Sequence, residues 1–216
     1  MTCSESNVGE APGPETGARP ERADPRGVYS RKAAIRPLFC VLGAVVLLAS
    51  LALAPGAAGA RGGALGLLML GVASADARRF VVPDALSASA FLLGVVDAAA
   101  TNPDSGLEGA LTAVARAALA AALLLLIRLA YRRIRGREGL GLGDVKLAGV
   151  AGAWLSLPVL PISLEFAAIV ALAAYVFRQR KRMRVLRAAA RVPFGAFFAP
   201  AIWLGWALDT MLPSLN

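Results

Sequence analysis

The chain has 216 residues, 57% of them hydrophobic, and a formal charge of +9 from 23 Lys and Arg against 14 Asp and Glu. Soluble domains are nearer 45–50% apolar; the excess here is gathered into runs of membrane-span length, which leaves no room for a large separate soluble domain. Histidine is absent and the two cysteines, Cys3 and Cys40, are far apart, which excludes His-based metal sites, Ser-His or Cys-His nucleophiles, a disulfide framework and a CxxC zinc site.

Residues 1–30 are rich in Pro, Gly, Glu, Ser and Arg and hold too few large apolar side chains to order themselves, so a disordered cytoplasmic tail is expected. They lack the early apolar run of a signal peptide. Seven helices are expected after them, at 37–55, 62–78, 83–100, 108–131, 144–157, 160–177 and 194–212. The fifth is short for a bilayer about 30 Å thick. Pro158 and Pro161 bracket a tight turn between the fifth and the sixth. The fold class is therefore all-α, a polytopic transmembrane helical bundle of about seven helices.

The basic residues sit in short loops between apolar runs, a distribution that favours membrane topology over nucleic-acid binding. Arg31, Lys32 and Arg36 precede the first helix; Arg78 and Arg79 follow the second; Arg132, Arg133, Arg135 and Arg137 follow the fourth. A further basic run from Arg178 to Arg191 follows the sixth, whereas the intervening loops carry only Arg61. The positive-inside rule then places the N-terminus in the cytoplasm and the C-terminus outside, in a multi-pass inner-membrane protein in contact with lipid.

This topology sorts the carboxylates by depth. Asp97, Asp104, Glu108, Glu165 and Asp209 fall near the outer surface, and Asp76, Asp84, Glu138 and Asp144 near the cytoplasmic one. Asp76 ends the second helix and Asp144 opens the fifth, so the two share one membrane face. Carboxylates at a membrane edge are costly and mark functional sites by default. Two close together share a proton, which suits an aspartic-protease dyad: one carboxylate activates water and the other polarises the scissile carbonyl. That chemistry forms no covalent intermediate and calls on no metal or cofactor. On the residues alone other readings stand beside it. Asp144 fits a helix cap, Asp76 fits an interfacial charge beside Arg78 and Arg79, and proton-coupled carriers also use intramembrane aspartates.

Three segments carry a resemblance. "GLGDVKLAGVAGAWL" resembles the GxGD motif of the type IV prepilin peptidases, which are membrane aspartic proteases. "DARRFVVPD" is similar to the family's first-aspartate segment, with Pro83 seven residues after Asp76. "RVPFGAFFAPAIWLGW" resembles the family's late Pro-Phe-Gly segment. The three occur in the family's order over roughly residues 62–212, all on the cytoplasmic side of the topology above. The extra N-terminal helix, residues 31–61, lies outside the match, and residues 62–216 form the peptidase-like membrane domain.

The resemblance implies that Asp76 and Asp144 are the catalytic pair and that the partner is a prepilin-like precursor, cleaved after its basic leader. Gly141 and Gly143 are then expected to turn the backbone and let it approach the site, and Lys146 to pair with a carboxylate or a lipid phosphate. Pro193, Phe194 and Gly195 are expected to shape the cleft. Asp84 stands where the family's Ile-Pro-Asn element has Asn and adds a third carboxylate. The larger members carry a zinc-binding domain with paired CxxC and also N-methylate the pilin; the resemblance here is to the shorter, peptidase-only branch. An inactive scaffold for pilus assembly is the remaining alternative. Since a basic cytoplasmic face repels a basic leader, the substrate's apolar helix is expected to supply much of the binding.

Overall fold

The computed structural model describes residues 25–101, 105–136, 139–181 and 193–212, with side chains from residue 39 onward. Most of the expected tail, together with Asp104, Glu138 and much of the basic run after the sixth helix, lies outside the described residues. The chain divides into two units, Met1–Leu38 and Phe39–Asn216. Of the first, the helical course from Pro25 is described; everything below concerns the second.

Seven helices and no strand occur among the described residues: α1 (Pro25–Leu53), α2 (Ala57–Arg79), α3 (Asp84–Thr101), α4 (Gly106–Arg135), α5 (Leu142–Trp154), α6 (Val159–Lys181) and α7 (Gly195–Met211). The protein is an all-α polytopic bundle, as the apolar runs predict. The helix boundaries follow local chemistry. Ser105 caps α4 by accepting the N–H of Glu108. Gly136 ends it in the left-handed conformation, φ 66°, that only glycine adopts without strain. Pro158 lies in the α5–α6 turn and Pro161 in the first turn of α6, where no helical N–H is needed.

Helices α2, α3, α4 and α6 are long and apolar enough to cross a membrane. The fifth helix is short, as its sequence predicts. With 13 residues α5 rises only about 20 Å, short of a bilayer core. Its length suffices because it meets protein rather than lipid: Asp144, Leu147, Ala148 and every residue from Val150 to Trp154 are buried. It packs against α3, α4 and α7, while α2 packs against α3 and α7, and α6 lies on α7.

Small residues make these close approaches possible. The buried stripe of α4 runs Gly109, Ala113, Ala117, Ala120, Leu124, Arg128, whereas Leu107, Leu111, Leu119, Leu123 and Leu126 face outward. Small residues inside and leucines outside are the pattern of a helix packed in lipid. A Cβ on Gly152 of α5 would stand 2.7 Å from the Cα of Ala117, so at this crossing the backbones meet without intervening side chains. Leu65, Met69, Val72, Leu147, Phe198 and Ile202 fill the centre.

Polar ties close the end of the bundle opposite the GLGD segment. Arg61 pairs with Asp97 at 2.5 Å, joining α2 to α3. Buried Asp209 on α7 accepts the Ser156 N–H at 2.8 Å and the Ser156 hydroxyl at 2.6 Å, fastening the α5–α6 turn. Asp209→Ala leaves both buried donors unpaired, at about 1–3 kcal/mol each. A marked fall in the unfolding temperature of the detergent-solubilised protein is expected, and an unchanged temperature contradicts this role.

Candidate active site

The second helix delivers Asp76 from its last turn. The chain leaves α2 through Phe80, whose N–H bonds to the Asp76 carbonyl at 2.9 Å and whose φ of 54° is the only positive value at a non-glycine residue among those described. Val82, Pro83 and Asp84 then lead into α3, where the Pro83 carbonyl accepts the N–H of Ser87. The Asp76 side chain is only 6% exposed. Its Oδ2 accepts the N–H of Ala196 at 2.7 Å, in the first turn of α7. A helix N-terminus offers unpaired N–H groups and a positive dipole end, so an anion is well placed there.

Asp144 is the third residue of α5 and is 9% exposed. Its Oδ2 accepts the N–H of Gly141, the residue that caps the helix. The expected capping role is therefore present, with the carboxylate reaching back from within the first turn. Gly141 has φ −74°, which any residue adopts, so the turn itself needs no glycine. Close approach does: a Cβ there would meet Asp144 Oδ2 at 3.2 Å, and one on Gly143 would meet Val82 Cγ2 at 2.7 Å. Gly143 thus seats the α2–α3 connection directly on the start of α5.

Gly195 joins the two halves. A Cβ at this position would lie 3.0 Å from Asp76 Oδ2 and 3.3 Å from Leu147 Cδ1. Leu147 is one helical turn beyond Asp144. Asp76 therefore meets the N-terminus of α7 beside Leu147 of α5, and the two aspartates, 68 residues apart in sequence, lie within electrostatic reach of each other. Pro193 and Phe194 lead into that terminus, and the Phe194 ring packs on Phe198 with centroids 5.5 Å apart. Among the described residues no three His, Cys, Asp or Glu side chains gather as a metal site requires.

A family model described as the type IV leader peptidase family matches residues 63–177, which include both aspartates. The chain belongs to the type IV leader peptidase family. It is 29% identical over 136 residues to the prepilin leader peptidase/N-methyltransferase of Neisseria gonorrhoeae, covering 62% of this chain and 43% of that protein. The corresponding protein of Dichelobacter nodosus is 33% identical over 140 residues, 65% of this chain and 46% of its own length. The chain thus spans under half the length of these curated relatives. No solved structure matches it.

Two further expected residues of this leader peptidase family member meet at the rim. Lys146 Nζ lies 2.5 Å from Asp84 Oδ1, linking α5 to the first residue of α3. Their side chains are 46% and 79% exposed, so the pair contributes at most about 1 kcal/mol. Lys146→Gln is expected to leave thermal stability within that margin, and a loss of folded protein contradicts it. Three contributors escaped sequence reasoning: the Ala196 N–H, Val82 and Leu147. Backbone amides and ordinary apolar residues carry no signal of their own. Only the adjacent Pro-Phe-Gly segment pointed toward the first of them.

Proposed function

We propose that the chain is a membrane aspartic endopeptidase that removes the basic leader of prepilin-like precursors at the cytoplasmic face. In this topology the N-terminus is cytoplasmic and the C-terminus outside. The observation that supports it best is that two buried carboxylates, from α2 and α5, lie within electrostatic reach of each other in a member of a leader peptidase family. Two carboxylates in one low-dielectric site hold one negative charge and one proton between them. The ionised carboxylate takes a proton from water, and the hydroxide formed attacks the scissile carbonyl carbon. The protonated one donates a hydrogen bond to the carbonyl oxygen, stabilising the tetrahedral intermediate. Collapse breaks the C–N bond, and the amine nitrogen leaves with a proton returned from the dyad.

Peptide binding draws on the apolar surroundings. Phe80, Val81 and Leu142 are exposed beside the two aspartate segments and suit a precursor whose helix continues from the cleavage point into the bilayer. The test is co-expression with a precursor that carries a basic leader and an apolar helix. N-terminal sequencing should find the leader removed at one bond. A precursor that stays full-length, with both proteins in the membrane, overturns the reading.

A further inference from the structure

Asp76 and Asp144 are held alike. Each is buried, each accepts one backbone N–H, and each stands at the start of a helix, α7 for Asp76 and α5 for Asp144. Neither arrangement supplies a full positive charge to balance the negative one the pair keeps. A charge so enclosed is costly unless compensated.

Among the described residues, one buried cation lies within electrostatic reach of this site. Arg128 is 7% exposed, while Arg132, Arg133 and Arg135 beyond it on α4 are exposed. It ends the small-residue stripe along which α4 packs on α5. The helix register sets its level. Gly152 of α5 lies against Arg116 and Ala117, and Gly149 against Ala117 and Ala121, so the two helices run antiparallel. Continuing five residues from Gly149 toward the start of α5 reaches Asp144, and the same advance along α4 reaches the turn just before Arg128. A helical side chain covers the turn on the N-terminal side of its own Cα. Arg128 therefore reaches the level of Asp144, and the two lie within electrostatic reach.

We infer that Arg128 is the buried counter-charge of the aspartate pair, a positioning residue that keeps its single negative charge in place within the apolar bundle. Among the described residues, the other charged or titratable groups packed around Asp144 do not serve. Asp76 of α2 is the second member of the pair, Asp84 of α3 is occupied by Lys146 of α5 itself, and Tyr131 of α4 packs on Gly139. The first two turns of α7, Gly195–Ile202, carry no titratable side chain.

The inference rests on the dyad reading, so its test uses one readout with cleavage and one without. In Arg128→Met the lost positive charge makes each deprotonation of the pair harder, so both limbs of the pH–cleavage profile move to higher pH. Arg128→Lys keeps the parent profile. The second readout is thermal unfolding of Arg128→Gln, made in the parent and in Asp76→Asn/Asp144→Asn. Replacing Arg128 should lower the unfolding temperature of the parent, and with both carboxylates neutral the part of that loss owed to the pair is gone, so the same change should lower it less. An Arg128→Gln chain that accumulates only in the double-Asn background also supports the pairing. Equal shifts in both backgrounds, accumulation in neither, or an unmoved pH profile in an active Arg128→Met protein overturns it. Cleavage that persists in the Asn variants instead sinks the dyad reading, while the unfolding comparison still reports whether the charges are coupled.

Discussion

Replacing either aspartate by asparagine is expected to reduce leader cleavage by about 10²–10⁴-fold while the protein still folds and inserts. The substitution is nearly isosteric. In Asp76→Asn the new side chain would still offer an amide oxygen to the Ala196 N–H, and in Asp144→Asn to the Gly141 N–H, so the contacts that hold α7 and cap α5 survive. The remaining carboxylate still carries the negative charge of the pair. What disappears is the second ionisable group: no residue is left to hold a proton while its neighbour accepts one. Accumulation of uncut precursor beside normal amounts of membrane-embedded variant is the expected observation. Cleavage at the parent rate in either variant would falsify the dyad. Loss of the protein itself would show that these carboxylates serve folding.

The two aspartates are positions that the sequence placed on one face without fixing how near they lie. The helices were legible because each is a long apolar run bounded by charge, proline or glycine, and the alternating loop charges supported their count. The fifth looked too short for a span, and its apolar residues do not reveal what they face. Leu147, Val150 and Trp154 look the same in sequence whether lipid or protein surrounds them, and here it is protein. Depth and burial are also different quantities. Asp209 was assigned to the outer surface, but the Ser156 backbone and hydroxyl enclose its carboxylate there.

The site was legible where it is written in side chains of rare type and hidden where it is made of common ones. Asp76, Pro83, the GLGD segment and Pro-Phe-Gly mark its three parts in order along the chain. The contact that joins the first of them to the last, Ala196 N–H to Asp76, crosses 120 residues and uses a backbone group. Arg128 carries a signal of its own in the sequence. It interrupts the apolar run "LLLLIRLAY", and a charge inside a span-length run is itself a functional mark. The loop arginines that follow it conceal it only when charges are grouped by loop.

Gly195→Ala is expected to separate catalysis from folding. Alanine favours helix over glycine by up to about 1 kcal/mol, so at the first position of α7 the change does not weaken the helix. Its methyl group, however, would stand 3.0 Å from Asp76 Oδ2 and 3.3 Å from Leu147 Cδ1, each nearer than side chains ordinarily pack. Leu147 is wholly buried and has nowhere to go, so the adjustment falls on the Asp76 carboxylate, which is displaced from the Ala196 N–H and from Asp144. Misplacing a reacting group by about 1 Å costs on the order of 10²-fold in rate, and a shift of a few tenths of an ångström a smaller part of that. Turnover of precursor should therefore fall about tenfold with little change in KM, because the apolar surface proposed to bind the substrate is untouched. Gly195→Val, with two more carbons in the same space, should reduce turnover further. Gly136→Ala is the informative contrast: nothing lies within 4 Å of its added carbon, but φ is 66°, so it should cost stability at the end of α4 and spare turnover. If Gly195→Ala retained full turnover, α7 would have room to yield, and the close seating of Gly195 on Asp76 would not be what aligns the pair.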